Sequence, residues 1–305
     1  MTKNKESKHR SAAYDIWRAF RSNKVAVICM IIVAFFLFVS IFADVLFDYN
    51  EVVIAQHLDN MLQPPSAAHW FGTDALGRDY FARIMYATRI TMIICLTSTA
   101  ASTLLSIIIG GLAAYYGGLF DTIIMRFLDI ILAVPQMLLI ICIVMSLGNS
   151  IINIILTLVV ILLPQLVRQV RADVFIRMQN EYVEAARSIG AGGIRILLSH
   201  VIPNCISTVV VRATMLISTM ILCMSGLGWL GLGVPAPAPE WGRMLAEAQT
   251  YMRMKPYLII FPGLVILTSA TAFNLLGDSL RDAMDPRLRG FRRTKKKLFA
   301  GRKAK

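Results

Sequence analysis

What most narrows the fold of this chain is the absence of charge over long distances. Segments 25–43, 90–120, 130–167 and 256–277 hold no Asp, Glu, Lys or Arg and run for 19, 31, 38 and 22 residues. About 20 apolar residues in a helix cross the ~30 Å hydrocarbon layer of a bilayer. A single chain segment survives there only if it satisfies its own backbone hydrogen bonds, which favours helices. The longest run is too long for one crossing, and Gly148-Asn149-Ser150 is a turn signal near its middle. That predicts two spans, 130–147 and 151–167, and one more within 201–233, interrupted only by Arg212. The expectation is an all-α integral membrane protein with six transmembrane helices. The 57% hydrophobic and 16% charged fractions agree, since soluble domains carry about 25% charged residues.

A net charge of +13 could suggest nucleic acid, but its placement argues for a membrane. Six spans put both termini on one side, with segments 1–24, 117–129, 168–200 and 278–305. These hold 7, 1, 5 and 11 Lys and Arg, or 24 of 31. Short loops rich in Lys and Arg stay cytoplasmic, so both termini are expected inside a multi-pass cell-membrane protein. The tail RRTKKK is topogenic charge that touches anionic lipid, with no nucleic acid partner. The run at 25–43 exceeds the apolar core of a signal peptide and no A-x-A site precedes Asp44, which predicts a retained first span. Cys29, Cys95, Cys142, Cys205 and Cys223 lie in or beside apolar runs, so they form no disulfide framework.

Three features interrupt the spans: an outer loop over 44–89, an inner loop over 168–200, and a Gly/Pro-rich stretch, SGLGWLGLGVPAPAPEWG. Within the second span Ser98, Ser102, Ser106, Gly110, Ala114 and Gly118 recur at every fourth position. Small residues at this spacing let a second helix approach closely in lipid. That neighbour is either inside this chain or on a second transmembrane subunit.

The chemistry of an enzyme is missing. No Walker A loop, H-E-x-x-H, C-x-x-C or G-x-S-x-G is present. His9, His57, His69 and His200 have no partner at metal-ligand spacing. Ion-coupled transporters place acids inside their spans, whereas the clear intramembrane charge here is Arg212. It either faces the translocation path or serves a structural or snorkelling role. A transporter built this way takes its energy from elsewhere.

The segment EYVEAARSIGAGG, 181–193, reads as a short soluble helix. Tyr182, Ala185, Ala186 and Ile189 form an apolar stripe, and Arg177–Glu181 and Glu184–Arg187 sit at pairing distance. Gly190 suits a left-handed C-cap, and AGG permits a sharp turn. A stripe with two alanines makes a thin knob that fits a groove on another protein.

This segment resembles the signature loop of ABC importer permeases, E-A-A-x-x-x-G followed by I-x-L-P. Glu184, Ala185, Ala186 and Gly190 match in register and Pro203 falls at the expected spacing, while His200 and Ile202 depart from the usual residues. The block HWFGTDALGRDYFARIMYATR, at 69–89, is similar to one that precedes the second span in the dipeptide/oligopeptide/nickel group, with Ala82 and Ala87 as departures. PAPAPEWGRML, FPGLVILTSATAFNLLGD and LRDAMDPR resemble the matching parts of its second, "C"-type, subunit. The resemblance implies a type-1 importer permease fold in a bacterial membrane. It implies that Tyr182, Glu184, Ala185, Ala186, Ile189, Gly190 and Pro203 couple to a separate ATPase. The chain itself would bind no cofactor, and ATP and Mg would be used by the partner. The implied partners are a homologous second permease, two ATPase subunits and an extracytoplasmic substrate-binding protein. Dipeptides, longer peptides, glutathione-like peptides and nickel chelates are all handled within this group.

In the outer loop, Tyr80, Phe81, Ile84, Met85 and Thr88 make an apolar face with Arg83 and Arg89 off it, and Asp79 can pair with Arg83. Met244, Leu245, Ala248, Tyr251 and Met252 form a second such helix after Glu240-Trp241-Gly242. Both are expected at the outer membrane interface. They are either anchors or, with Asp74, Gly77, Arg78, Asp79, Arg83, Glu240 and Trp241, a platform for the binding protein. The expected divisions are 1–86, with the first span and outer loop; 87–278, the permease domain; and 279–305, a basic tail. Two rival readings remain open at this point: an ion-coupled secondary transporter and a membrane scaffold that docks a soluble partner.

Overall fold

The structure is a computed structural model that describes residues 12–284. The basic tail RRTKKK, His9 and most of the N-terminal charge lie outside the described residues. A short helix, α1 (Ala12–Arg21), leads into α2 (Lys24–Leu46), whose first turn is capped by the Asn23 side chain accepting from Val25 N–H at 3.1 Å. The segment between α2 and α3 (Tyr80–Tyr116) is irregular apart from two short turns. Then follow α4 (Gly118–Ala133), α5 (Gln136–Leu147), α6 (Ile151–Met178), α7 (Glu181–Ser188), α8 (Gly193–Ile196), α9 (Ile202–Trp229), α10 (Trp241–Ala248) and α11 (Tyr257–Met284). No strand occurs among the described residues.

Among the described residues, five helical segments are long and apolar enough to cross a membrane: Lys24–Leu46, Tyr80–Tyr116, Ile151–Met178, Gly193–Trp229 and Tyr257–Met284. The sixth expected span, 130–147, is not one straight helix. It is a broken pair, α4 and α5, bent by 90°. Pro135 has no N–H to continue the helix and holds Val134 in an extended conformation, φ −86° and ψ 131°. Counted as one broken span, the pair brings the number to six. The expected turn at Gly148 is present, with φ +85°, and Ser150 caps α6 by accepting from Asn153 N–H at 3.3 Å.

Two further boundaries differ from the sequence expectation. The apolar face at 80–88 is not a separate surface helix but the first turns of α3, which runs for 37 residues, about 55 Å at 1.5 Å per residue. At the other end the chain turns sharply at AGG as expected, with Gly190 at φ +83°, but the next span does not wait for residue 201. Instead α8 passes through a π-helical stretch, Leu197–Val201, into α9. Proline lacks the N–H that an α-helical bond would need, and a wider turn absorbs that gap.

The core lies between α3, α6, α9 and α11, with α2 along its side. The stripe of small residues packs against α6. Ser98, Ser102 and Ser106 are fully buried, Ser102 Oγ lies 3.4 Å from Val159 O, and a Cβ on Gly110 would sit 2.8 Å from Val167 O. The neighbour is therefore internal. Gly118 falls outside the stripe, because the chain breaks at Gly117, φ +62°, and Gly118 is exposed at the start of α4. Gly110→Leu should push α3 off α6 and cost about 2–3 kcal/mol, read as a lower midpoint of unfolding in detergent; an unchanged midpoint would contradict this packing. Cys29, Cys95, Cys205 and Cys223 are buried and Cys142 is exposed, all as free thiols.

By contrast, α4 buries Leu128 alone, leaving Leu119, Ile123, Phe127 and Ile130 exposed. It is held to α6 by ion pairs, Asp121 to Arg171 and Asp129 to Arg168.

Candidate functional site

At one end of the bundle α7 stands on the core through two residues. Val183 is fully buried and Ala186 is 9% exposed, packed with Val174, Ile196, Leu197 and Val201. The expected stripe is thus divided. Ala186 faces inward with Val183, whereas Ala185 faces out and Tyr182 and Ile189 are 38% and 85% exposed. Glu184 lies on the same outward surface. Beyond the helix Gly190 takes φ +83°, its N–H donating to Arg187 O at 2.9 Å, while Ala191 N–H donates to Ala186 O at 3.1 Å. This is the left-handed termination that glycine allows.

The two ion pairs expected on this helix do not form. Gln179 and Asn180 interrupt the helix, which puts Arg177 on α6 and Glu181 on α7. Neither that pair nor Glu184–Arg187 is among the ion pairs of the described residues. The acidic residues of α7 are therefore free to meet an outside partner. Pro203 lies in the first turn of α9, behind the knob.

Arg212 is not alone. Its guanidinium donates to Asp173 of α6 at 2.8 and 3.4 Å, and Thr208 Oγ1 donates to the same carboxylate at 3.2 Å. The sequence reading assigned Asp173 to an inner loop, but α6 continues to Met178. The result is a neutral bridge between α6 and α9, which removes most of the cost of a lone charge in lipid.

At the opposite end, the residues expected to form a platform lie together in a mostly buried brace. Asp74 Oδ1 accepts from the backbone of Leu76 and Arg78 at 2.9 and 3.0 Å, and its Oδ2 meets Arg78 Nε at 2.7 Å and Arg83 Nε at 3.3 Å. Gly77, φ +73°, packs so tightly on the backbone of His57 that any side chain would collide with its carbonyl. Asp79 does not pair with Arg83 as expected. It caps α3, accepting from Ala82 N–H at 2.8 Å, and pairs with His69 at 2.7 Å. Arg83 instead turns inward, 1% exposed. The tyrosines tie the loop to α11: Tyr80 OH donates to Leu258 O at 2.6 Å and Tyr257 OH to Gln63 O at 2.8 Å.

The second expected helix, α10, buries one face against the bundle. Trp241, Met244 and Ala248 are at most 3% exposed, and Trp241 Nε1 donates to Ile84 O at 3.1 Å. Glu240 caps α10, accepting from the N–H groups of Gly242 and Arg243 at 2.8 and 3.0 Å. Burial raises its carboxyl to about 7 despite those two donors, from 4.5 for a free side chain. The folded chain therefore holds a proton that the unfolded chain has released between those values, so stability falls as pH rises through that window. Glu240→Gln, which keeps one of the two cap acceptors and removes the titrating proton, should flatten this slope in unfolding midpoints measured from pH 4.5 to 8.

Glu247, which the sequence reading did not single out, joins the brace. It meets Arg243 at 2.9 Å and stands 3.7 and 3.8 Å from Arg78 and Arg83. Its i, i+4 spacing from Arg243 is a local clue, whereas Arg78 and Arg83 lie more than a hundred residues away in the chain. The described residues contain no cluster of His, Cys, Asp or Glu able to hold a metal.

Comparison with known proteins points to one family. Residues 102–290 match the family described as binding-protein-dependent transport system inner membrane component, and residues 11–65 match the N-terminal transmembrane domain of oligopeptide transport permease C. The chain is 38% identical over 281 residues to the glutathione transport system permease protein GsiD of Escherichia coli O157:H7 and of Shigella sonnei, covering 92% of each chain. It is 37% identical over 275 residues to the dipeptide transport system permease protein DppC of Alkalihalophilus pseudofirmus, covering 90% of each.

Proposed function

The chain belongs to the family of binding-protein-dependent transport system inner membrane components, and on that premise we propose that it forms half of the pathway of an ATP-driven importer of di- or oligopeptides. It is a multi-pass, non-catalytic permease subunit of the ABC type, and ATP is hydrolysed by a separate chain. The peptide class is supported by the names of its relatives, which transport glutathione and dipeptides. The finer assembly is part of the proposal: a homologous second permease against the apolar face of α4 and α5, two ATPase subunits, an extracytoplasmic binding protein, and both termini in the cytoplasm.

The observation that carries the coupling role is the outward surface of α7. Tyr182, Ala185 and Ile189 project beside Glu184, while Val183 and Ala186 bolt the helix to α6, α8 and the π-helical stretch. A push on such a knob is delivered to packed spans rather than lost in a loose loop. ATP-driven closure of the ATPases would draw two knobs together and rock the spans to open an outward cavity. A loaded binding protein can favour that state only by binding it better than the inward one.

Liposomes that contain this chain, its second permease and the ATPases, with binding protein outside, should accumulate labelled dipeptide only when ATP is present inside. Uptake driven by a proton or sodium gradient without ATPase would overturn the reading, and intact partner docking without any uptake would favour a scaffold.

A further inference from the structure

The brace at the α10 end lines a partly open cavity of about 410 Å³, within the ~300–1,000 Å³ typical of ligand pockets. Its walls carry Arg78, Arg83 and Arg243 against Asp74 and Glu247, so the guanidiniums outnumber the carboxylates by one. Arg78 and Arg83 are 7% and 1% exposed, and buried charge of one sign is costly unless something answers it.

The hydrogen bonds show the same deficit. Each guanidinium offers five N–H donors. Arg78 Nε reaches Asp74 at 2.7 Å, and Arg83 Nη1 reaches only Val53 O, at 3.3 Å. Arg83 Nε is buried without a hydrogen bond, although Asp74 is close. Glu247 is the natural candidate to fill the gap, yet it is held at the cavity edge by Arg243, its side chain 41% exposed and beyond hydrogen-bond reach of both buried arginines. Tyr80, Met244, Tyr251 and Leu258 supply an apolar wall beside these donors.

We propose that this cavity is a binding site for one carboxylate, held by Arg78 and Arg83 in the place that Glu247 approaches but does not occupy. The carboxylate belongs either to a small free molecule or to an acidic side chain of a protein docked on this face; only that choice of source rests on the permease reading above. Glu247 is then an internal competitor, and its removal strengthens the site.

The probe is 4-fluorobenzoate, with neutral 4-fluorobenzamide as control, followed by fluorine NMR on the assembled complex in nanodiscs and on empty nanodiscs. The benzoate should bind saturably to the complex and the amide should not. Glu247→Gln, a change at a half-exposed position, should tighten benzoate binding roughly tenfold by removing the opposing charge. A gain in affinity cannot arise from misfolding. Equal retention of benzoate and amide, or unchanged benzoate affinity in Glu247→Gln, overturns the site. If saturating benzoate releases a docked binding protein, the occupant is an acidic side chain; if docking is unaffected, it is a small molecule, and either result upholds the site. The measurement involves neither ATP nor uptake, so failure here leaves the transport reading standing, and failure of import leaves the site standing.

Discussion

Glu184→Lys and Ile189→Asp should each abolish substrate-stimulated ATP hydrolysis by the reconstituted importer while leaving the chain folded and inserted. Both side chains point away from the core, Ile189 being 85% exposed and Glu184 also exposed, so neither change disturbs the bundle. Their effect must come through what they touch. Anchors at the centre of an interface commonly account for 2 kcal/mol or more, a loss of about thirtyfold in affinity. Opposite charge at Glu184, or a charge in place of the most exposed apolar tip, should reduce stimulated hydrolysis by at least roughly that factor. The contrast within the same helix makes the test sharp. Val183→Asp buries a charge in the cluster that holds α7 to Val174 and Ile196, and should lower expression and the unfolding midpoint instead. Normal hydrolysis in both outward variants, with normal uptake, would remove α7 from the coupling path.

The sequence exposes α7 more clearly than it exposes the sides of α7. Gly190 is legible because its place needs a left-handed backbone that few other residues accept. The outward and inward faces are not, because an eight-residue helix with alanines on both sides has no strong periodicity, and what decides its orientation is the distant cluster of Ile196 and Val201. The spans follow the same division. Charge-free length reveals where the chain enters lipid, since hydration of charge is a local cost. The break at Pro135 was open to reading, from one imino acid in an apolar run, but length alone concealed it. At the opposite end a stretch of apolar residues before the second span reads as an interfacial helix. It is instead the base of a helix 37 residues long, because Tyr80 and Trp241 find carbonyl partners on Leu258 and Ile84, pairings that no spacing in the chain announces.

Those pairings set up the second large effect, at Asp74. Asp74→Asn should destabilise the α10 end more than any single change on the exposed surface, and the reason is charge rather than shape. Asn keeps an oxygen that can accept from the N–H groups of Leu76 and Arg78, so the turn that Gly77 closes is preserved. What it removes is the carboxylate between Arg78 and Arg83, both more than nine-tenths buried. Breaking a buried pair by deleting one partner costs about 3–5 kcal/mol, since the other charge stays behind uncompensated. Here two guanidiniums are left behind, and Glu247 stands too far away, at 3.7 and 3.8 Å, to replace the lost bonds. The effect should appear first as faster amide exchange over the loop before α3 and over α10, while α6 and α7 keep their protection. A second change, Arg83→Met, should recover part of the loss, because it removes the like charge that Asp74 had separated and leaves an apolar side chain in an apolar wall. If Asp74→Asn leaves exchange and unfolding unchanged, the charge at this end is balanced by something other than Asp74, and the arginines are not held as the geometry holds them here.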